Sequence, residues 1–506
     1  MSYVIGVDSS TTATKAVVWS REGRAVADGR AEFSLALPRP GWHEQDSEDW
    51  WRSTVTAVRR ALQSVDVSDV EAIAVTHQRE TFVCLDEYGR AVRPAIVWMD
   101  VRATRQVEQF GSDDVHRLTG KPPDTTPALY KLLWLSEHEP DAIRRTRWVA
   151  DVHAFLVNRL TGTWRTTTAC ADPLGLIDMD RQDWSDDLLA RVGLSRERVP
   201  ALVRPGDVIG ELSVAASEQL GLPAGLPVVG GAGDGQSAGL GANATRPGTA
   251  YMNVGTAVVA GTVSERYAWD RAFRTLFGAV PGTYMMETLL QGGTYTVNWF
   301  LERIAALDAQ RLGLGLRDVD VLEAAAARVG PGAEGLLLVP YWASAQTPYW
   351  DPAARGILFG LAGHHGKEHL FRALMEGIAF EQRLALEGME RGLGRPLETL
   401  LTTGGGSRSA LWRQILADVT RKTVVACREA ETTGLGAGIH AAAAVGWHGS
   451  LVAAAEAMTG TGARHTPDER TAARYDELFA IYREIYPRTA PLHKALQRAF
   501  DDQPAT

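Results

Sequence analysis

Three short stretches of this chain carry residue types suited to phosphate chemistry. In Ile5-Gly6-Val7-Asp8-Ser9-Ser10-Thr11-Thr12-Ala13-Thr14-Lys15, an apolar run delivers a carboxylate, then small hydroxyl residues, then a second apolar run through Trp19. Backbone N–H groups and the hydroxyls of Thr11 and Thr12 can hold phosphate oxygens in such a turn, and Asp8 can hold an accompanying Mg2+. Polar turns between strands are common, so the pattern does not decide alone. A similar device recurs half a chain later in Tyr251-Met252-Asn253-Val254-Gly255-Thr256-Ala257-Val258. Between the two lies Val228-Val229-Gly230-Gly231-Ala232-Gly233-Asp234-Gly235-Gln236, which presents one acid among glycines. Glycines there let the backbone approach a ligand closely; the plainer alternative is a turn with a solvated Asp.

Two hairpins half a chain apart predict two related lobes, each offering one phosphate loop to a shared cleft. The pattern along the chain is α/β throughout. We expect a strand meander over 1–35, a helix from Ser47 to Gln63, a buried strand from Val70 to Val75, and a hairpin over 80–97 turning at 86–89. Helices are predicted for Leu129 to Glu137 and Trp148 to Leu160, with a Pro- and Gly-rich linker over 200–227. The second half predicts strands near 250–262 and 335–340, helices near 366–392, 407–420 and 434–445, and a closing helix from Ala472 to Phe500. The apolar stretch Ile439 to Ala457 is interrupted by Gly446, His448, Ser450 and Glu456, and reads as a helix pair, not a membrane span.

At 506 residues the chain is too long for one core, and 45% hydrophobic with 22% charged residues is ordinary for a globular enzyme. A net charge of −9 without a basic run argues against nucleic-acid and anionic-membrane partners. Cys84, Cys170 and Cys427 have no metal-ligand spacing, so we expect reduced core filler and, with no room for a signal peptide before the first strand, a cytoplasmic protein. Neither a Walker-type Gly-x-x-x-x-Gly-Lys-Ser/Thr nor a dinucleotide Gly-x-Gly-x-x-Gly after a strand is present.

Further ordered segments accompany the phosphate turns: Pro40-Gly41-Trp42-His43-Glu44-Gln45-Asp46, Gln78-Arg79-Glu80, Ile96-Val97-Trp98-Met99-Asp100, Pro348-Tyr349-Trp350-Asp351, Gly404-Gly405-Gly406-Ser407-Arg408-Ser409 and Glu431-Thr432-Thr433-Gly434. Together, almost end to end, they resemble the FGGY carbohydrate kinases. The resemblance implies two ribonuclease H-like lobes of the actin-like ATPase type, 1–247 and 248–506, with nucleotide and sugar in the cleft between them. It implies ATP and Mg2+, a small open-chain sugar or polyol as partner, and a homodimer or homotetramer. It makes Asp234 the catalytic base, a positioned carboxylate taking the proton of a sugar hydroxyl as it attacks the γ-phosphorus. It places Thr11, Thr12, Gly255 and Thr256 around the phosphates, with Lys15 adding charge, and Gly405 and Gly406 where nucleotide meets backbone. The plain alternative for the three glycines is a flexible sheet turn.

Gln78, Arg79 and Glu80 follow a strand end, so their donors and acceptors can meet adjacent hydroxyls, while Trp98 can cover a carbon face of the sugar. A surface Arg–Glu pair and a core tryptophan are the plain alternatives. Gln78-Arg79-Glu80 and Glu431-Thr432-Thr433 resemble glycerol kinases; the Trp42 and Gly404 segments resemble xylulose kinases. A glycerol-contacting tyrosine, counted back from Lys131, is here Thr126, and a glutamine after the base is Gly235. Both changes remove bulk and predict a pocket for more than three carbons. We therefore expect a kinase of a four- or five-carbon ketose or tetritol, with glycerol as the alternative. From other classes, an actin-like ATPase would need no base, and a sugar-sensing regulator would add a helix-turn-helix and a basic face.

Overall fold

The computed structural model describes residues 1–305 and 317–501. In the first half, β1 (Tyr3–Ser9), β2 (Ala13–Trp19) and β3 (Ala25–Glu32) form the expected antiparallel meander. Strand β4 (Val70–His77) runs parallel to β1, and β6 (Pro227–Gly233) runs parallel to β4, with β5 (Val208–Glu211) antiparallel at the edge. The sheet order is β5-β6-β4-β1-β2-β3. The near-continuous burial of β1, β2 and β4 follows from their Val, Ile and Ala content, as expected of strands covered on both faces.

The second half repeats this plan. Strands β7 (Thr249–Val254), β8 (Val258–Ser264) and β10 (Tyr284–Leu290) form the meander, with β9 (Arg274–Phe277) added at its edge. Strands β11 (Thr399–Thr403) and β12 (Thr423–Cys427) then run parallel to β7, closed by antiparallel β13 (Thr461–His465). The order is β9-β10-β8-β7-β11-β12-β13. The hairpin symmetry read from sequence is thus part of a repeat of three meander strands followed by two parallel ones, while the edge strands of the two sheets differ.

The two halves interlock through α1 (Asp234–Gly241) and α2 (Thr432–Ala444). Helix α2 belongs to the second half by sequence, yet it packs on α1 and on β1 and β4 of the first. The approach is close enough to require glycine. A Cβ on Gly241 would fall 1.9 Å from the Thr432 carbonyl, one on Gly436 2.0 Å from that of Ser237, and one on Gly6 2.2 Å from that of Gly434.

Two expected elements are corrected. Residues 148–151 are a strand paired with Phe82–Leu85, and the helix starts only at Val152. Asp151 ends that strand and caps the helix, its carboxylate accepting from the Ala154 N–H at 2.9 Å. The stretch 200–227 is not a linker: it holds a strand over Ala201–Val203, strand β5 and a helix over Val214–Leu220. Its prolines and glycines punctuate short elements. Of the cysteines, Cys84 and Cys170 are buried and Cys427 half-buried, all free. Among the described residues no helix is long and apolar enough to cross a membrane.

Candidate active site

In both sheets candidate residues sit at the carboxyl ends of parallel strands, the place where open α/β sheets bind ligands. In the first lobe β1 ends at Asp8, β4 leads into Gln78-Arg79-Glu80 and β6 leads into Asp234. In the second, β7 leads into Gly255-Thr256 and β11 into Gly404-Gly405-Gly406. All of the sequence-derived candidates therefore lie at strand ends or in the turns after them, except Trp98, Thr126 and Lys15.

Asp234 opens α1, and its side chain is 40% exposed. Its Oδ1 forms an ion pair with Arg79 Nε at 2.6 Å and accepts from the Gly235 N–H at 2.8 Å, while Oδ2 accepts no hydrogen bond among the described residues. One oxygen is anchored and the other is free to receive a proton. The flanking glycines serve Arg79 and not a ligand backbone contact: a Cβ on Gly233 would meet Arg79 Cδ and Cγ at 2.5 Å. A Cβ on Gly235 would lie 2.3 Å from Glu287 Oε2. The bulk absent at Gly235 is thus occupied by Glu287 and Arg79, which corrects the expectation that this glycine enlarges the sugar pocket.

Arg79 continues into a buried ionic chain shared by the lobes. Its Nη1 donates to Glu287 Oε1 at 2.9 Å; Arg274 Nη2 donates to the same oxygen at 2.6 Å, and Arg274 Nη1 donates to Glu80 Oε1 at 2.6 Å. Tyr251 Oη donates to Glu287 Oε2 at 2.8 Å. Burial pushes the Glu287 carboxyl up, but Arg79 and Arg274 outweigh it and hold it down at about 2. Glu80 takes φ 57, a left-handed conformation costly for a residue with a Cβ, as strained residues at sites often are. Arg274, Glu287 and Tyr251 were not singled out from sequence. Their one visible signal was unusual polarity: Glu287 interrupts the apolar run Met285 to Leu290.

The remaining first-lobe candidates form a scaffold around this chain. Gln78 is buried, donating to Gln45 Oε1 at 2.9 Å and accepting from Thr81 at 3.2 Å, so its amide is taken up by protein groups. Trp98 is partly buried and its Nε1 donates to Thr11 Oγ1 at 2.9 Å, tying the indole to the phosphate turn. Lys131 is buried and pushed down to about 8 by burial; its Nζ donates to the carbonyls of Thr126 at 2.7 Å and Trp98 at 3.1 Å. Thr126 Oγ1 in turn donates to Asp124 at 2.8 Å.

Asp8 Oδ1 is buried without a hydrogen-bond partner among the described residues. Burial first, then Asp234 and Glu431, push this carboxyl up to about 8, and Lys15 opposes them. An orphaned acid under negative neighbours fits a cation, and Mg2+ characteristically takes one or two carboxylates, several waters and substrate phosphates. Lys15 lies opposite Asp8 on β2 and its Nζ is 3.0 Å from Glu431, so its charge is shared with the second half of the chain. Thr12 and Thr256 are exposed in their turns.

Beyond Gly405-Gly406 opens a cavity of about 640 Å³, with Val297, Leu301, Phe371 and Met375 among its apolar lining. That is within the size range of small-molecule pockets, and Arg317, Asp320, Glu323 and Arg408 add charged groups to the lining. The two glycines there differ. A Cβ on Gly406 would meet Val254 Cγ1 at 2.5 Å and the Trp412 ring at 2.7 Å, so packing alone requires it. A Cβ on Gly405 would meet nothing within 4 Å, leaving the open wall as the use of its missing side chain.

Comparison with known proteins shows the family. The profile of the FGGY family of carbohydrate kinases matches as its N-terminal domain over residues 3–241 and as its C-terminal domain over residues 250–445. The chain is 30% identical over 507 residues to a xylulose kinase of Bacillus subtilis (strain 168), covering 98% of this chain and 99% of that one. It is 34% identical over 476 residues to a glycerol kinase of Bordetella parapertussis, covering 89% and 90%. A ligand-bound xylulose kinase structure from Lactobacillus acidophilus superposes with a TM-score of 0.92 at 25% identity, covering 98% of this chain and 100% of that one. The chain belongs to the FGGY family of carbohydrate kinases.

Proposed function

We propose that this carbohydrate kinase transfers the γ-phosphate of ATP to a terminal hydroxyl of a four- or five-carbon ketose or tetritol, with Asp234 as general base. The observation that supports the base is its asymmetric anchoring: the Arg79 ion pair and the Gly235 N–H hold Oδ1, and Oδ2 accepts no hydrogen bond among the described residues. As the sugar oxygen bonds to the γ-phosphorus, the bond from that phosphorus to the β,γ-bridging oxygen breaks, ADP leaves and Asp234 accepts the hydroxyl proton. Thr11, Thr12, Gly255 and Thr256 hold the phosphates from opposite lobes, with the cavity beside Gly405 for adenosine. Asp8 would hold Mg2+, which when bound would supply charge neutralisation to the phosphates. We take 1–247 and 248–506 as the two lobes, joined by the α1–α2 crossing. Closure between them would exclude water and so keep ATP hydrolysis from competing.

Arg79 and Glu80 supply donors and acceptors to the sugar hydroxyls. The reading of a substrate longer than glycerol rests on Thr126 and on the xylulose kinases among the relatives. Gly235 no longer supports it. Glycerol is the second reading, favoured by the glycerol kinase relative. A panel of glycerol, erythritol, D- and L-xylulose, D- and L-ribulose and gluconate, scored by ADP release from Mg-ATP, separates them. Stimulation by a ketopentose or tetritol is expected; stimulation by glycerol alone would select the second reading.

A further inference from the structure

Glu287 occupies a position in the second-lobe sheet that is built for it. It lies directly opposite Arg274 on β9 and opposite Gly261 on β8, and Gly261 is in turn opposite Tyr251 on β7. The row works because Gly261 has no side chain: a Cβ there would fall 2.5 Å from Tyr251 Cε1. The Tyr251 ring can therefore lie over Gly261 and reach Glu287. The acid is fully buried and holds two arginines, each of which holds a carboxylate of the first lobe. Asp234 lies at one end of this chain and Glu80, in its strained conformation, at the other.

We propose that Glu287 is a positioning residue for phosphoryl transfer, acting on the base through Arg79 and on the sugar-binding carboxylate through Arg274. This rests on reading Asp234 and Glu80 as sugar-facing groups. Because Tyr251, Arg274 and Glu287 come from the second lobe, the first lobe alone cannot complete the geometry of its own sugar site. A misplacement of catalytic groups by about 1 Å can cost on the order of 10²-fold in rate.

The test compares wild type, Glu287→Gln and Tyr251→Phe in sugar-stimulated ADP release, with separate titrations of sugar and Mg-ATP and a thermal melt of each protein. Glu287→Gln should lower kcat by about 10²-fold and raise the sugar KM by at least about tenfold, with the KM for ATP within about twofold of wild type. Tyr251→Phe removes one hydrogen bond and no charge. It should move kcat and sugar KM in the same direction by less, with the fold retained, and so tests the idea even where Glu287→Gln fails to fold. Unchanged sugar KM and kcat per folded molecule in both variants would overturn the proposal and leave the chain a packing device. Absence of sugar-stimulated ADP release in wild type would instead overturn the kinase reading on which it rests.

Discussion

Individual side chains divide into those that touch reacting groups and those that hold them. Glu80→Ala removes the acceptor proposed to meet the sugar and leaves Arg274 paired with Glu287. We expect the sugar KM to rise by at least about tenfold with kcat less affected, since lost ground-state binding appears mainly in KM; an unchanged KM would return Glu80 to a structural role. Gly405→Val places bulk in the cavity proposed for the nucleoside, where a Cβ would meet no other residue's atoms within 4 Å beyond its chain neighbours. Its ATP KM should rise by about tenfold or more, equivalent to about 1.4 kcal/mol, with the melting temperature close to wild type. The sequence marked Asp8, Asp234 and the Gly-Thr turn as candidates by their strand-end pattern, and their proposed roles came from the family resemblance. It misassigned the reason for Gly233 and Gly235, whose neighbours Arg79 and Glu287 stand far from them in sequence.

At the scale of elements, periodicity identified the long helices and the two meanders, which are specified by local pattern. The strand at Trp148–Asp151 was read as helix because four apolar-rich residues joined to a helix share its composition, and only pairing with Phe82–Leu85 distinguishes them. The α1–α2 crossing was legible only as small residues; its meaning depends on a contact between elements about two hundred residues apart. Gly436→Ala would drive a methyl to 2.0 Å from the Ser237 carbonyl. We expect a loss of about 1–3 kcal/mol in stability, read as an earlier thermal transition. Gly449→Ala, where a Cβ meets nothing within 4 Å, should melt like wild type. Equal melts for the two variants would contradict close packing at the crossing.

For the whole molecule, two sheets with a common five-strand plan are joined by packed helices and bridged by a buried charge chain. The second lobe also carries a buried acid remote from this chain: Glu381, which accepts from Tyr341 and Tyr482 and is pushed up to about 7 by burial. A carboxyl raised in the folded state binds its proton more tightly there than in the unfolded chain. Stability from this group is therefore full below its ordinary value of 4.5 and declines as pH rises towards about 7. The loss is up to about 3 kcal/mol across that window. Glu381→Gln should flatten this part of the pH dependence, so that the variant gains on wild type between pH 5 and 7.5 in denaturant melts. A parallel pH dependence in the two proteins would contradict it.

The central claim is that Asp234 takes the proton of a sugar hydroxyl during phosphoryl transfer. Arg79 keeps Glu287 as a partner when Asp234 is replaced, so Asp234→Ala should fold and bind ATP as wild type does. The direct measurement is sugar-stimulated ADP release by Asp234→Ala and wild type at saturating Mg-ATP, with the best substrate of the panel. A fall of about 10²–10⁴-fold in kcat with ATP binding retained is the predicted result. Turnover near that of wild type would contradict it.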